Sequence, residues 1–85
     1  MRYTVEYTPA AYNDLASIWN QASDQQAVAD AADEIDWLLA RFPERHGQPY
    51  NGYRVHSVWP LEVLYEIIPD DRRVRVLEVT FIGLT

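Results

Sequence analysis

Arg54 and His56 come closest, among the residues of this chain, to a pair that could do chemistry. They lie two positions apart in a run of strand-forming residues, so both side chains point to the same face of a strand. An arginine can hold a phosphate and a histidine can donate a proton near neutral pH, so the pair could bind phosphate or act as a general acid. The structural alternative, which we favour, is a solvated sheet face on which they pair with Glu62 and Glu66.

Arg72, Arg73 and Arg75 form the densest basic cluster in the sequence. If any patch of the chain contacts a nucleic acid or an acidic protein segment, we expect it to be this one. The simpler alternative is cross-strand pairing, because Arg73 and Arg75 share a strand face with Glu66. The composition argues against general nucleic-acid binding, since the 85-residue chain has 13 acidic and seven basic residues and a net charge of −6.

The sequence has no signature of another kind of active site. It contains no cysteine, so disulfides and thiolate metal sites are excluded. His46 has no second histidine or cysteine at ligand spacing and is interpreted as a solvated loop residue. There is no Ser/His/Asp arrangement and no glycine-rich phosphate loop, so we expect neither a metal nor a cofactor. No apolar run reaches the length of a membrane span and no signal peptide is visible, which predicts a cytoplasmic protein.

The elements that must position these side chains begin with a strand and a helix. Alternation over Arg2–Tyr7 indicates a half-buried strand. Thr8 and Pro9 are typical of an N-cap and a first helical residue, and the helix should continue to about Ala22. Its buried stripe is predicted to comprise Ala11, Leu15, Ile18, Trp19 and Ala22.

A second helix is predicted to begin at Ser23, which forms a capping box with Gln26, and to end before Pro43. So short a link between two helices indicates an antiparallel hairpin. The buried stripe of the second helix is predicted to comprise Val28, Ala31, Ala32, Ile35, Leu38, Leu39 and Phe42.

The second half of the sequence predicts a loop over residues 43–51 and then three antiparallel strands. A turn at Asp70-Asp71 would pair Glu66 with Arg75 and Ile67 with Val74, which makes one sheet face charged and the other apolar. The order β-α-α-β-β-β predicts one α+β domain over residues 1–85, with a helix hairpin packed on an antiparallel-rich sheet. The predicted strands are Tyr53–Val58, Leu61–Ile68 and Arg73–Ile82.

Trp37 and the apolar residues from Phe81 to Leu84 are candidates for a protein interface. Trp37 lies off the buried stripe of its helix, and exposed aromatic residues of this size are common anchors in interfaces. The alternative for Trp37 is packing on a neighbouring loop or on the surface. For Phe81, Ile82 and Leu84 the alternative is completion of the last strand.

Several motifs recur along nearly the whole chain in the order and spacing of a known family. Together they resemble the RelE/ParE superfamily of bacterial toxins, the toxic halves of type II toxin–antitoxin pairs. The resemblance implies a fold of one strand, two helices and an antiparallel sheet, and a toxin that a cognate antitoxin wraps and silences. The motifs are Tyr7–Ala11, Asp14-Leu15, Leu38–Pro43, Gly52–Arg54, Val63–Ile67 and Val74–Val79.

The departures from the RelE branch bear on activity. Ribosome-dependent ribonucleases of that branch line the sheet face with basic residues and finish with a catalytic arginine and tyrosine. Arg54 and His56 match two basic positions, whereas Glu62 stands where an arginine is expected and would repel a phosphate. Thr80–Gly83 replace the basic residues expected after Val79, and no terminal tyrosine follows. The resemblance therefore implies a ParE-like toxin in which the RelE catalytic set is not retained.

On this basis we expect the toxin of a type II toxin–antitoxin, or plasmid stabilisation, module that inhibits growth by binding its target. The expected partner is a cognate antitoxin, with a second copy of the chain as an alternative. ParE-branch toxins are associated with inhibition of DNA gyrase, so the resemblance implies gyrase, or else the ribosome, as the target. The alternative functions are a RelE-like ribosome-dependent mRNA endoribonuclease and a decayed homologue that only binds protein partners.

Overall fold

The computed structural model describes residues 2–83 and has the predicted element order with one added strand. Leu84, predicted to belong to an apolar interface segment, lies outside the described residues. Within residues 2–83, no helix is both long and apolar enough to cross a membrane. The elements are β1 at Thr4–Tyr7, α1 at Pro9–Gln21, α2 at Gln25–Arg41, β2 at Gln48–Tyr50, β3 at Tyr53–Val58, β4 at Leu61–Ile68 and β5 at Arg73–Phe81.

The five strands form one mixed sheet in the order β1-β5-β4-β3-β2. The pairs β3–β4 and β4–β5 are antiparallel, as the hairpin pattern predicts, and the additional strand β2 is antiparallel to β3. The first strand lies at the sheet edge beside the last one and parallel to it, with Thr4 opposite Arg73. The α+β fold with a helix hairpin on an antiparallel-rich sheet is therefore confirmed, and the sheet edges are β1 and β2.

The register of the β4–β5 hairpin is the predicted one. Glu66 lies opposite Arg75 and Ile67 opposite Val74, so the charged and apolar faces form as expected. The connection is longer than a two-residue turn, because a 3₁₀ turn over Pro69–Asp71 is followed by Arg72 in the left-handed region at φ 52°.

Both helices pack on one face of this sheet, here called the inner face, and the opposite face is called the outer face. α1 and α2 contribute Ala11, Val28, Ala31, Ile35 and Leu39, each at most 2% exposed. The small residues Ala11 and Ala31 let the helices approach the strands closely. The strands contribute Leu61, Val63, Tyr65, Val74, Val76 and Val79.

A β-bulge in β5 decides which residues reach the outer face beyond Val76. Tyr65 lies opposite Val76 and Leu64 opposite Glu78, so Leu77 is an extra residue on β5. The carboxylate of Asp14 in α1 accepts a hydrogen bond from the N–H of Val79 at 3.2 Å and fixes the strand after the bulge. As a result Val79 packs in the core and Glu78 lies on the outer face.

The helix starts follow the predicted capping chemistry with one correction. The hydroxyl of Thr8 accepts a hydrogen bond from Ala11 N–H at 3.1 Å, and Pro9 is the first residue of α1. For α2 the prediction of Ser23 as the N-cap is wrong, because the carboxylate of Asp24 accepts from Ala27 N–H at 3.1 Å. A carboxylate is the better acceptor at the positive end of the helix, so α2 begins one residue later than Ser23 would place it.

Two further predictions are corrected by the fold. The segment predicted as a loop over residues 43–51 contains the edge strand Gln48–Tyr50, which is exposed and too short to show an apolar alternation. Trp19, predicted on the buried stripe of α1, is 40% exposed. α1 crosses β5 along the Ala11 side, so Trp19 turns toward α2 and solvent while Leu15 and Ile18 are half-buried.

Candidate functional site

Arg54 and His56 lie on the inner face of the sheet. Arg54 is opposite the buried Tyr65, and His56 is opposite the buried Val63. The predicted pairing of Arg54 and His56 with Glu62 and Glu66 is therefore wrong, because alternate residues of β4 point to opposite faces. Charged residues of the sheet therefore occupy both faces and do not form a single solvated face.

The guanidinium of Arg54 is bound to the backbone of the loop between α2 and β2. Its Nε donates to the carbonyl oxygen of His46 at 3.1 Å, and its Nη2 lies 3.2 Å from that of Glu44 and 3.3 Å from that of Gly47. Arg54 therefore has a structural role, as expected, but its partners are carbonyl oxygens of this loop and not glutamate side chains. These donors are not directed at an open face where a phosphate could bind.

His56 meets His46 where the loop crosses β3. Their imidazole rings are 5.3 Å apart between centroids, and His46 is 6.4 Å from the ring of Phe42. Burial lowers the pKa of His56, and a positive charge on His46 lowers it further, while Glu34 acts in the opposite direction. His56 is therefore held in its neutral form down to lower pH than a free histidine. The sequence did not predict this contact, because the two residues are brought together only by the loop.

The basic cluster is divided by the fold. Arg73 lies 3.3 Å from Glu6 and 3.3 Å from the carboxylate of Asp71. Arg75 lies 3.2 Å from Glu66, the predicted cross-strand partner, and 3.6 Å from Glu6. Both guanidinium groups on the outer face are thus paired with carboxylates. Arg72, exposed in the β4–β5 turn, has no such pair among the described residues.

The outer face carries a concave surface that we call the outer-face groove. Val55 and Leu64 lie at its centre, both half-buried, and Tyr50 on β2 forms one side with 57% of its surface exposed. Glu62 and Glu78 lie on neighbouring strands at its other side. Their hydrogen-bond partners are hydroxyls, Ser57 at 3.1 Å and Thr80 at 3.4 Å.

The second concave surface lies between the helices, and we call it the hairpin groove. It is mainly apolar and has two exposed aromatic residues, Tyr12 at 67% and Trp19 at 40% exposure. Trp37, on α2 beyond the groove, is 50% exposed and its ring is covered on one side by Arg41 at 4.5 Å. The sequence analysis did not identify Tyr12 and Trp19 as candidates for a partner surface, although their spacing of seven residues places them on one helix face. The groove is lined by Tyr12, Leu15, Trp19, Val28, Ala29 and Ala32.

Phe81 and Ile82 differ in their surroundings. Phe81 is partly buried and packs against the core, and Gly83 and Pro60 lie close to its ring. Ile82 is 41% exposed, and its N–H donates to the carbonyl oxygen of Pro60 at 2.8 Å. Trp59, in the adjacent β3–β4 turn, is 66% exposed. Over residues 2–83, the His, Asp and Glu side chains form no group of three that could hold a metal ion.

The fold and these surfaces define a class of protein. Two helices on a five-stranded mixed sheet are the architecture of RelE/ParE superfamily toxins of type II toxin–antitoxin systems. The sequence model of one family, described as "ParE toxin of type II toxin-antitoxin system, parDE", matches residues 5–80. The chain belongs to this ParE toxin family.

Solved structures of toxins from the same superfamily are similar over almost their full length. A chain of the toxin–antitoxin complex RelBE2 from Mycobacterium tuberculosis is 26% identical, with a TM-score of 0.79 over 95% of this chain and 99% of that one. A chain of a chromosomal ParDE system from P. aeruginosa is 17% identical, with a TM-score of 0.76 over 96% and 98%.

The YoeB/ParE toxin from Agrobacterium tumefaciens is 20% identical, with a TM-score of 0.65 over 92% of this chain and 96% of the relative. At 17% and 20% identity the likeness extends to the fold alone. No functionally curated protein matches the sequence.

Proposed function

We propose that this toxin is neutralised by a cognate antitoxin that docks in the hairpin groove, and that it inhibits growth by binding its target and not by cutting RNA. Family membership supports the toxin role. The observation that carries the mechanism is the placement of charge on the outer face. Glu62 and Glu78 stand on the open sheet surface, and the guanidinium of Arg54 is directed to the opposite side.

The hairpin groove supports docking of an amphipathic antitoxin helix. Apolar and aromatic side chains from both helices line it, and a helix laid in such a groove would bury apolar residues at helical spacing. Tyr12 and Trp19 offer large exposed rings of the kind that dominate binding energy in interfaces. Solved relatives that belong to RelBE2 and ParDE systems support an antitoxin as the occupant.

Among the side chains of residues 2–83, the arginines of the sheet do not form a phosphate-binding set, and this supports action by binding. A ribonuclease must stabilise the negative charge that develops on the phosphate, and this requires cations or hydrogen-bond donors aimed at it. On the outer face Arg73 and Arg75 are both paired with carboxylates. DNA gyrase is the target that family membership favours, and the proposed site of action is the cytoplasm.

The test of the antitoxin site is a tryptophan comparison. Trp19→Ala and Trp37→Ala are each expressed with the antitoxin encoded beside the toxin gene, and Trp59→Ala is the matched control, since it removes an exposed tryptophan that does not line the groove. We expect the groove variant Trp19→Ala to weaken antitoxin affinity about tenfold or more, with a smaller loss for Trp37→Ala. Equal affinity of the Trp19 and Trp59 variants would place the antitoxin elsewhere, and self-association of each variant shows whether a second copy competes.

The toxin role itself is tested by induced expression alone and with the antitoxin. Growth should slow in the first case and recover in the second, and purified toxin should inhibit supercoiling by gyrase. Unchanged growth over a range of expression levels would support the decayed-homologue alternative.

A ribonuclease remains the second candidate because of one cluster. His46 and His56 line a cleft together with Arg45, so a proton donor, a proton acceptor and a cation lie close to one another. Purified protein is incubated with programmed ribosomes, and His56→Gln is the diagnostic variant because Arg54 variants would disturb the loop. We expect no cleavage of mRNA. Cleavage that disappears in His56→Gln would establish the ribonuclease and reject action by binding alone.

A further inference from the structure

We propose that the outer-face groove is the surface with which the toxin binds its target, and that the occupant is an extended, cationic segment of the target protein that carries an apolar side chain. This inference rests on the proposed function, in which the toxin acts by binding. It goes beyond that function by assigning the surface and the charge of the segment that fills it.

The shape and composition of the groove fit a peptide segment. Val55 and Leu64 give it an apolar centre, and Tyr50 gives it an exposed aromatic wall on the edge strand. Such a centre can take one aliphatic side chain, while neighbouring residues of an extended segment reach the rim. The groove therefore combines an apolar centre with a polar rim, which is the arrangement found in protein interfaces.

The charge of the outer face selects the occupant. Glu6 and Glu66 are balanced by Arg73 and Arg75, which lie within 3.6 Å of them. Glu62 and Glu78 have only hydroxyl partners, Ser57 and Thr80, and no arginine of residues 2–83 forms an ion pair with either. Lysine or arginine residues of a partner would complement these two carboxylates, whereas a nucleic acid or an acidic segment would be repelled.

The position of the groove separates it from the proposed antitoxin site. The hairpin groove is built on the helices of the inner face, and the outer-face groove lies across the sheet from it. The bulge at Leu77 and the hydrogen bond from Val79 N–H to Asp14 place Glu78 on the outer face. Antitoxin and target segment can therefore be tested on the same folded protein with separate variants.

The first experiment measures binding of synthetic peptides. The probe is a short peptide that alternates arginine with leucine, and its counterpart has glutamate in place of arginine. We expect the arginine peptide alone to bind, with affinity that falls as salt is added. The double variant Glu62→Gln/Glu78→Gln keeps the side-chain shapes and should weaken binding by about tenfold or more. The control is Glu34→Gln/Asp70→Asn, which changes the net charge equally at exposed positions outside the groove.

Equal weakening by the two double variants would show that overall charge attracts the peptide and would overturn the assignment. Binding of the glutamate peptide as strongly as the arginine peptide would overturn it as well. Leu64→Ala provides an independent check of the apolar centre. It should weaken binding of the arginine peptide and leave binding of the antitoxin unchanged. These peptide results do not depend on toxicity, so they can fail while the proposed function stands.

The second experiment connects the groove to growth inhibition. The variant Glu62→Gln/Glu78→Gln should lose toxicity in cells while it binds antitoxin within about twofold of the wild-type affinity, which also shows that it is folded. Full toxicity of this variant would overturn the inference, because the target surface would lie elsewhere. Absence of toxicity in the wild-type protein would instead contradict the proposed function.

Discussion

Arg54 and Tyr65 face each other across β3 and β4, and both bind the carbonyl oxygen of His46. The Tyr65 hydroxyl lies 2.8 Å from this oxygen and 2.8 Å from that of Pro43. The loop between α2 and β2 has little regular structure, so these side chains supply the hydrogen bonds that a helix or strand would give it. Arg54, which belongs to the candidate catalytic pair in the sequence, is thus part of a structural clamp with Tyr65.

Removal of the Tyr65 hydroxyl should destabilise the protein without leaving a large cavity. Tyr65→Phe leaves buried carbonyl oxygens with fewer donors, and we expect a loss of about 1–3 kcal/mol in the free energy of unfolding. Because Arg54 shares the His46 acceptor, the effects of Tyr65→Phe and Arg54→Leu should not add. Chemical denaturation of the two single variants and the double variant measures this coupling, and additive losses would contradict the shared clamp.

Gly47 and Gly52 form a matched pair for a test of close packing. Both have positive φ angles, 81° and 86°. A Cβ at Gly47 would lie 2.7 Å from the hydroxyl oxygen of Tyr65, whereas a Cβ at Gly52 would meet nothing within 4 Å. Both alanine variants suffer the backbone strain, but Gly47→Ala should cost about 1–3 kcal/mol more because it also displaces the tyrosine. Equal losses in thermal denaturation would show that the loop adapts.

Leu39→Ala should cost about 2–5 kcal/mol, since the side chain is fully buried between α2 and the sheet. Leu38→Ala is the control, because the neighbouring residue is only half-buried and has the same chemistry. A loss for Leu39→Ala well under about 1 kcal/mol would place this residue at the surface and contradict the orientation of α2.

Stability should fall as the pH drops below about 6.5, in part because of His56. Burial lowers the pKa of His56 in the folded protein, with a further contribution from His46. The unfolded chain therefore takes up its proton at higher pH than the folded one, so acidification favours the unfolded state. In denaturation experiments at a series of pH values, His56→Gln should make the decline shallower. If stability declines identically with falling pH in the wild type and the variant, the lowered pKa of His56 is contradicted.

Periodicity predicts both helices, the strands β1, β3, β4 and β5, and the register of the β4–β5 hairpin, because apolar alternation and helix caps are local. Val74 and Ile67 pair as predicted, and Thr8 caps α1 as predicted. The neighbour of β1 could not be predicted, since a parallel pair is formed across the whole chain and leaves no local pattern. The short strand at Gln48–Tyr50 had a local signal that the sequence analysis did not use: Asn51-Gly52, with φ angles of 50° and 86°, is the two-residue turn typical of a β-hairpin.

The candidate sites were harder to predict because they depend on which face of the sheet each residue occupies. Arg54 and Glu62 have similar surroundings in the sequence, yet they point to opposite faces. One signal was available for Glu78. The apolar residues of β5 change phase between Val76 and Val79, which is what a bulge requires. That phase change places Glu78 on the outer face of the sheet, where it lies at the acidic side of the outer-face groove.

In the sheet, β1 is hydrogen-bonded to β5, the last strand of the described residues. Until Val74 and Val76 have left the ribosome, β1 has no partner in the sheet and α1 lacks the strand β5 on which it packs. A core that depends on contacts between distant parts of the chain forms slowly, because those parts must first be brought together. We therefore expect nascent chains in which β5 is not yet available to carry neither groove in its finished form, so that neither toxicity nor capture by an antitoxin can begin before this strand has joined the sheet.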